Sequence, residues 1–427
     1  MIAAQPLSDL LPPEALASVD SSPLFGGRPP EAIVRPASVE EVAALLSWAS
    51  REGVGVLTMA SGHRVAPVTR EGRFVALRMD RLNAIEAYEA ADLTITAGAG
   101  APFSSVTRAL GENDQWAPFD PADVAARSLG GLVAAGESGP LRMGYGELRN
   151  HVLGARVVTG DGRTLDLGGR VVKNVAGFDV LKAVVGSRGG LAAITSVCLR
   201  AFPRPEVDRV LVRTEPTVRA AAGLALAVGT APVLPASCVV VDRLSERGER
   251  AALVVRLHGS RATVDEEQVR MERHVGVPFE VVGDVGTGAD AASSESTRRL
   301  LEGVRDHVKS DGTVVVASVR PSRLPRLLEV VDRLGPLALS CDAYTGLVRV
   351  EADPERITEL DLLRRDVIAL DGAIRQERIS STAMRGSADP LSPHDDRRDA
   401  SAAGRTALAR RLETAFDPAG ALWPART

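Results

Sequence analysis

The chain has 427 residues, 45% of them hydrophobic and 25% charged, with a formal net charge of -4. That length exceeds one ordinary core and predicts two or three lobes. The charge balance, with no basic run, excludes an electrostatic interface for nucleic acid. Three widely spaced cysteines, Cys198, Cys238 and Cys341, form no C-x-x-C pair. They predict buried reduced thiols rather than disulfides, a zinc site or an iron–sulfur cluster. The first 13 residues lack a basic segment and carry Pro6, Pro12 and Pro13, so no signal peptide is expected. No apolar run approaches the roughly 20 residues that span a bilayer. The expected location is cytoplasmic, with any membrane association made through partners.

Residues 1–27 read as an irregular lead-in with one short helix at 13–18. A strand at 32–35 ends at Pro36. Ser38 then stands to cap a helix, with Glu41 completing a capping box and Val39, Val42, Leu45, Leu46 and Ala49 on its buried face. Gly53 stops that helix, and an apolar strand over 54–58 leads into the loop Met59-Ala60-Ser61-Gly62-His63-Arg64. Further strands are expected at 93–97, 152–159 and 164–167, the last two joined by an Asp161-Gly162 turn. Helices are expected at 103–110 and 180–185, and residues 190–201 lead into a strand. From residue 206 strands alternate with helices and glycines thin out. The strands fall at 210–213, 237–241, 252–257, 313–319 and 347–350. The helices fall at 218–227, 262–274, 294–308, 324–334 and 356–370. This predicts an α+β lobe with a ferredoxin-like antiparallel sheet. Residues 379–397 read as a linker and 400–414 as a last helix. No internal repeat is evident.

Three segments could carry chemistry. The loop Ala60–Arg64 follows a buried strand and would present backbone N–H groups to a pyrophosphate, but an ordinary turn reads as well. Ser128-Leu129-Gly130-Gly131, followed by Gly139-Pro140, would admit a large flat ligand, or else tight packing of backbone on backbone. Lys173, Asn174 and Asp179 are polar residues in an apolar setting, followed by Gly186-Ser187-Arg188-Gly189-Gly190. They imply a polar ligand edge or a capped helix between two turns. In the second lobe His258, His274, His307 and His394 have no metal-ligand spacing. His274 and His307 read as surface residues, and no residue of that lobe stands out for catalysis. No metal site is expected.

In this order and spacing, the three segments resemble the PCMH-type FAD-binding domain of the vanillyl-alcohol-oxidase superfamily. Within it the FAD-binding subunit of glycolate oxidase is the best match, through Gly139 to Arg142, His151 to Gly154 and above all Val172 to Asp179. Phe416-Asp417-Pro418-Ala419-Gly420 resembles that family's terminal signature. The resemblance implies an α+β chain with a lead-in (1–27), a PCMH-type domain (28–205), a ferredoxin-like α+β cap (206–378), and a linker with a C-terminal helix returning to the FAD domain (379–427). It implies FAD held by Ala60, Ser61, Gly62, His63 and Arg64 at the pyrophosphate. Ser128, Gly130, Gly131 and Gly139 would lie along the dinucleotide. Tyr145, Gly146 and Val152 would line it, and Gly189 to Ile194 would hold the adenine or ribitol side. The sequence departs from the family in its single first-loop glycine, in Ala192, and in Trp423-Pro424-Ala425 at the end.

The resemblance implies oxidation of a 2-hydroxy acid such as glycolate, or electron relay beside a catalytic flavoprotein subunit and an iron–sulfur subunit. A free-standing alcohol or sugar oxidase and a flavin-free scaffold remain the alternatives. A histidine at the position of His63 is bonded covalently to flavin in some members of the superfamily. A phosphate contact or a solvated loop side chain is the expectation for it here. No catalytic base is assigned.

Overall fold

The computed structural model describes residues 6–17, 29–59, 72–169, 179–244, 250–286, 291–308, 313–352, 360–378 and 409–423. The segment expected to be helical at 13–18 holds a single turn at Pro13–Ala15, because Leu16 already takes extended backbone and enters a strand. Strand β1 (Leu16–Ala17) then pairs antiparallel with β2 (Ile33–Val34). Helix α1 (Val39–Glu52) starts as its capping residues predict. Ser38 Oγ accepts from Glu41 N at 3.2 Å, while the Glu41 carboxylate accepts from Ala37 N at 2.8 Å, one residue before the usual partner. Gly53 ends the helix in the left-handed region at φ 64°. Strands β3 (Gly55–Met59) and β4 (Phe74–Arg78) pair in parallel beneath α1.

The next unit comprises β5 (Ile85–Glu89), β6 (Thr94–Gly98), α2 (Phe103–Gly111), β7 (Gln115–Trp116), α3 (Leu129–Ala135), α4 (Arg142–Tyr145), β8 (Val152–Val158), β9 (Thr164–Gly168), α5 (Val180–Val184), β10 (Ala193–Arg200) and β11 (Phe202–Pro203). Its main sheet runs β5-β6-β10-β8-β9, all antiparallel. Strands β4 and β5 are absent from the sequence reading. β5 is a largely exposed edge strand with no apolar stripe, so alternation gives it no signal. The residue run at 129–135 is a helix because the Ser128 hydroxyl caps it, accepting from Gly131 N at 3.1 Å. Its Leu129, Leu132 and Val133 join Phe103, Val106 and Leu110 of α2 in a core against β6 and β10.

The cap begins with β12 (Val207–Glu215), α6 (Val218–Val228), β13 (Ser237–Val241), β14 (Ala251–Gly259), α7 (Arg261–Val275) and β15 (Glu280–Val285). Helix α8 (Ala291–Arg305) follows. The cap continues with β16 (Thr313–Ser318), α9 (Leu324–Leu334), β17 (Ala338–Asp342), β18 (Leu347–Ala352), α10 (Leu360–Ala369) and β19 (Ala373–Arg378). The eight strands form one sheet in the order β15-β12-β14-β13-β17-β18-β16-β19. Each half is a βαββαβ unit with the strand order 4-1-3-2, and the halves join through their second strands, Val240 opposite Cys341. The expectation of no internal repeat is therefore corrected. The duplication is carried by topology, and the short strands β15, β17 and β19 give the sequence no period to detect.

Helices α6, α7, α9 and α10 cover one face of this sheet over a single core. Leu300 and Val304 of α8 pack on the opposite face of the first half only, against Val210, Val212, Val239 and Val254. The three cysteines are buried and free. Residues 409–416 are helical and place Leu412 and Phe416 in the core beneath α2 and α3. The Asp417 carboxylate then accepts from Ala421 N and Leu422 N, both at 2.8 Å, and β20 (Leu422–Trp423) adds in parallel to β3. The terminal segment thus returns to the first lobe. Among the described residues no helix is long and apolar enough to cross a membrane.

Candidate functional site

Three segments meet at the C-terminal end of β3. Helix α3 ends at Gly136, whose φ of 63° only glycine adopts without strain. The turn after α5 packs against it: Gly186 N donates to Val133 O at 3.0 Å and Arg188 N to Ala134 O at 2.8 Å. A Cβ at Gly136 would lie 2.8 Å from Gly186 Cα, and one at Gly189 would lie 1.9 Å from Thr58 Oγ1 on β3. So α3, the 186–190 turn and the end of β3 are pressed together through glycines. The Ser187 hydroxyl in this turn is buried and has no hydrogen-bond partner among the described residues.

Sequence candidates fall into three groups. Ala60, Ser61, Gly62, His63 and Arg64, like Lys173 and Asn174, lie outside the described residues. Ser128, Gly130, Gly131, Gly139, Gly189 and Ile194 stand in the first lobe, close to α3 or β10. At Gly130 and Gly139 the tight-packing alternative holds: a Cβ would lie 2.5 Å from Ala99 Cβ and 1.9 Å from Asp120 O. Val152 and Ile194 are both buried in the strand core, at opposite ends of the β8–β10 pairing, Val152 across from Leu199 and Ile194 across from Val157. Tyr145 and Gly146 close α4 and face the cap. Asp179 caps α5, accepting from Lys182 N at 3.4 Å.

Just beyond Gly136 the lobe meets the uncovered face of the cap's second half. A cavity of ≈ 310 Å³ opens there between Gly136, Glu137, Ser138 and Arg142 on one side and Val316, Leu347 and Arg349 on the other. The alternation of β16 and β18 puts Val316 opposite Arg349 and Ser318 opposite Leu347, all toward the cavity. Glu137 is held by a buried ion pair with Arg127 at 2.7 Å. Ser138 Oγ accepts from Leu148 N at 2.8 Å. Arg142 Nε donates to Asp342 Oδ2 at 3.2 Å.

A second cavity of ≈ 520 Å³ lies between α2 and α8, with Phe103, Trp116 and Phe119 in its wall and Asp120, Asp208 and Arg256 at its floor. Neighbouring residues divide the two spaces: Asp120 and Leu141 face this one, Pro121 and Arg142 the other. The floor is a buried charge network. Arg256 grips Asp208 through two bonds of 3.1 and 2.5 Å, and its Nη1 is 3.5 Å from Asp120 Oδ2. His258 places Nε2 2.9 Å from Asp208 Oδ1 and Nδ1 2.9 Å from the Tyr145 hydroxyl. Leu141 N donates to Asp120 Oδ1 at 2.9 Å. Burial pushes Asp120 up to about 6 although Arg256 and the Leu141 N–H oppose it. Burial would raise Asp208 too, but Arg256 and His258 hold it well below the usual carboxylate range. Burial lowers the His258 imidazole, and with Asp208 nearby it pushes the Tyr145 phenol up to about 12.

This buried network in the second lobe is not singled out by the sequence reading, which finds no catalytic candidate there. The available signal was Leu253-Val254-Val255-Arg256-Leu257-His258, an apolar strand with two polar residues on one face. The expectation for His307 is corrected. It is nearly buried, its Nε2 2.5 Å from Asp242 Oδ1, and that oxygen also accepts from Leu339 N at 2.9 Å. His274 is exposed, as expected, beside Thr230.

Comparison with known proteins places these features. A family profile described as an FAD binding domain matches residues 30–168. The chain is 29% identical over 344 residues to a D-2-hydroxyglutarate dehydrogenase of Xanthomonas citri pv. viticola, covering 79% of this chain and 68% of that protein. It is 38% identical over 148 residues to glycolate oxidase subunit GlcE of Escherichia coli, covering 34% of this chain and 41% of that one. It is 28% identical over 228 residues to glycolate oxidase subunit GlcD of Bacillus subtilis, covering 53% and 48%. The chain thus spans less than half the length of both glycolate oxidase relatives. The solved structure of an alkyldihydroxyacetonephosphate synthase shares the fold, with a TM-score of 0.70 at 19% identity over 97% of this chain and 83% of that one.

Proposed function

We propose, from the premise that this chain is a glycolate-oxidase-like FAD-dependent oxidoreductase with its FAD-binding domain at residues 30–168, that it oxidises a small 2-hydroxy acid in the cavity faced by Arg349. The premise fits the residues present. The glycines that bring α3, the 186–190 turn and β3 together leave the Ser187 hydroxyl buried without a partner, the kind of group that a bound polar ligand satisfies. Ser187, the turn amides and the Ala60–Arg64 loop would hold the dinucleotide. Bound FAD supplies the hydride acceptor, and the protein supplies binding and orientation.

The observation that carries the substrate class is Arg349. It projects from β18 among Val316 and Leu347 into a cavity whose opposite wall is Gly136 to Ser138. A guanidinium there, in a cavity also lined by Arg142, Arg149, Glu147 and Ser318, matches a carboxylate through two parallel hydrogen bonds. The volume suits a small ligand. No histidine lines the cavity, and its two carboxylates are each paired with an arginine, Glu137 with Arg127 and Glu147 with Arg149. This favours a chain that works beside a second flavoprotein subunit, the arrangement implied by its likeness to GlcE. An iron–sulfur subunit would complete that assembly.

The test is anaerobic mixing of the FAD-loaded protein, alone and with any co-purifying subunits, with glycolate, D-lactate and D-2-hydroxyglutarate. Bleaching of the flavin band by at least one is expected. Arg349→Met should weaken the response about 10- to 100-fold, the value of one charge-assisted carboxylate contact. A protein that takes up no FAD would support the scaffold alternative. One that takes up FAD but is bleached only by neutral alcohols or sugars would support the free-standing oxidase.

A further inference from the structure

The four-residue helix α4 touches both halves of the cap. At its first residue, Arg142 donates to Asp342 Oδ2 at 3.2 Å and to Thr345 Oγ1. Asp342 and Thr345 frame the turn that launches β18, the strand carrying Arg349. At its middle, Gly144 N donates to Ala236 O at 3.1 Å, and a Cβ at residue 144 would lie 2.8 Å from Ala236 Cα. At its last residue, the Tyr145 hydroxyl meets His258 Nδ1 at 2.9 Å. Ala236 and His258 belong to the first half of the cap, and Asp342 and Thr345 to the second. Helix α4 therefore sits across the junction where the two repeats join.

We infer that Arg142 and Tyr145 are positioning residues, which strap the two repeats to the FAD-binding lobe and fix where Arg349 stands over Gly136 to Ser138. The inference rests on the proposed function only for the identity of the ligand. Arg142 is suited to the part because it lines the cavity and grips the turn with the same guanidinium, its side chain 17% exposed and that of Asp342 10%. Two bonds from a planar fork fix direction as well as distance. Within the turn, Thr345 N and its hydroxyl bond back to Asp342, and Gly346 O accepts from Val319 N at 2.9 Å, so Arg142 is the contact that comes from the first lobe. Tyr145 acts at the other end. Its ring lies edge-on to Trp116 and Phe202, with centroids at 5.5 and 5.6 Å, so loss of the hydroxyl leaves the ring packed and releases His258 only.

The test uses the full-length FAD-loaded protein and three variants, Arg142→Met, Asp342→Asn and Tyr145→Phe. Two quantities are read. Amide hydrogen exchange over residues 343–349 reports on the turn without any ligand. The dependence of the anaerobic bleaching rate on D-lactate and glycolate concentration gives their apparent dissociation constants. Arg142→Met is expected to speed exchange in that segment and to weaken hydroxy-acid binding, each about tenfold, with FAD content unchanged. Asp342→Asn should reproduce the effect from the cap side. It decides the matter if Arg142→Met does not fold. Tyr145→Phe should give a smaller loss of binding in the same direction. Variants that exchange and bind as the wild type does overturn the inference. A wild type that binds neither acid, with Arg142→Met still exchanging faster, sinks the proposed substrate while upholding the strap. A wild type that binds, with variants exchanging faster yet binding equally well, upholds the substrate and sinks the positioning role.

Discussion

The two halves of the cap share a topology and differ in what lies on their open face. In the first half, α8 seals the sheet with Leu300 and Val304, and the strip beyond it carries Asp208, Arg256 and His258 against the FAD-binding lobe. In the second half no helix among the described residues covers that face. Val316, Leu347 and Arg349 look into a cavity instead. Both halves bury their other face under two helices in one continuous core. A duplicated unit can thus keep the face that stabilises it and vary the other. Here one copy packs a charged strip against the first lobe, and the other faces it across a cavity.

The strongest way to break this comparison is to remove the charge that organises the closed half. Asp208→Asn leaves Arg256 with the distant Asp120 oxygen and deprives His258 of its carboxylate. Breaking one partner of a buried pair costs on the order of 3–5 kcal/mol, because the remaining charge stays buried. The urea midpoint should fall accordingly at pH 7. A drop no larger than that of an exposed pair such as Arg320 with Asp371 would show that the network is solvated and that the halves do not differ as described.

Packing sharpens the same contrast. Leu300, on the sheet-facing side of α8, is 6% exposed, and truncation to Ala should cost roughly 2–4 kcal/mol through lost burial and the cavity left behind. Leu347 already borders an open cavity, so its truncation should cost under about 1 kcal/mol. Equal losses in paired denaturation curves would mean that the second face is closed in solution.

The same asymmetry separates what the sequence discloses from what it hides. Helices α6, α7, α9 and α10 show their apolar face within their own residues, and α9 begins and ends where the pattern predicts. The returning tail is legible because Phe416-Asp417-Pro418 is a local pattern. The charge network is not, since Asp120, Tyr145, Asp208 and His258 come from four elements and meet only when the lobes close. Arg349 is hidden for a similar reason: alternation along β18 puts it on a face, but only the tertiary fold turns that face toward Gly136 to Ser138. His307 was misjudged because its partner, Asp242, lies 65 residues away. At Gly130 and Gly139, sequence alone does not separate close approach to a ligand from close approach to Ala99 or Asp120.

The finest distinction concerns Asp120, at the boundary between the two cavities. In the native state it titrates at about 6, against 3.8 for the unreacted side chain. Between those values the folded protein holds a proton that the unfolded chain has lost. Stability from this group therefore falls as pH rises from about 4 to 6 and is constant above. The ionised form costs at most about 3 kcal/mol. Asp208 works in the opposite sense, its depressed value adding stability that is lost only in strong acid. Asp120→Asn keeps an oxygen for Leu141 N and removes the buried charge. Relative to wild type, the variant should gain roughly 1–3 kcal/mol as pH rises through 6, read as the difference in urea midpoint between pH 4 and pH 8. If the wild type gains instead, Arg256 at 3.5 Å is a real partner for the ionised carboxylate, and Asp120 belongs with Asp208 to the network that closes the first half.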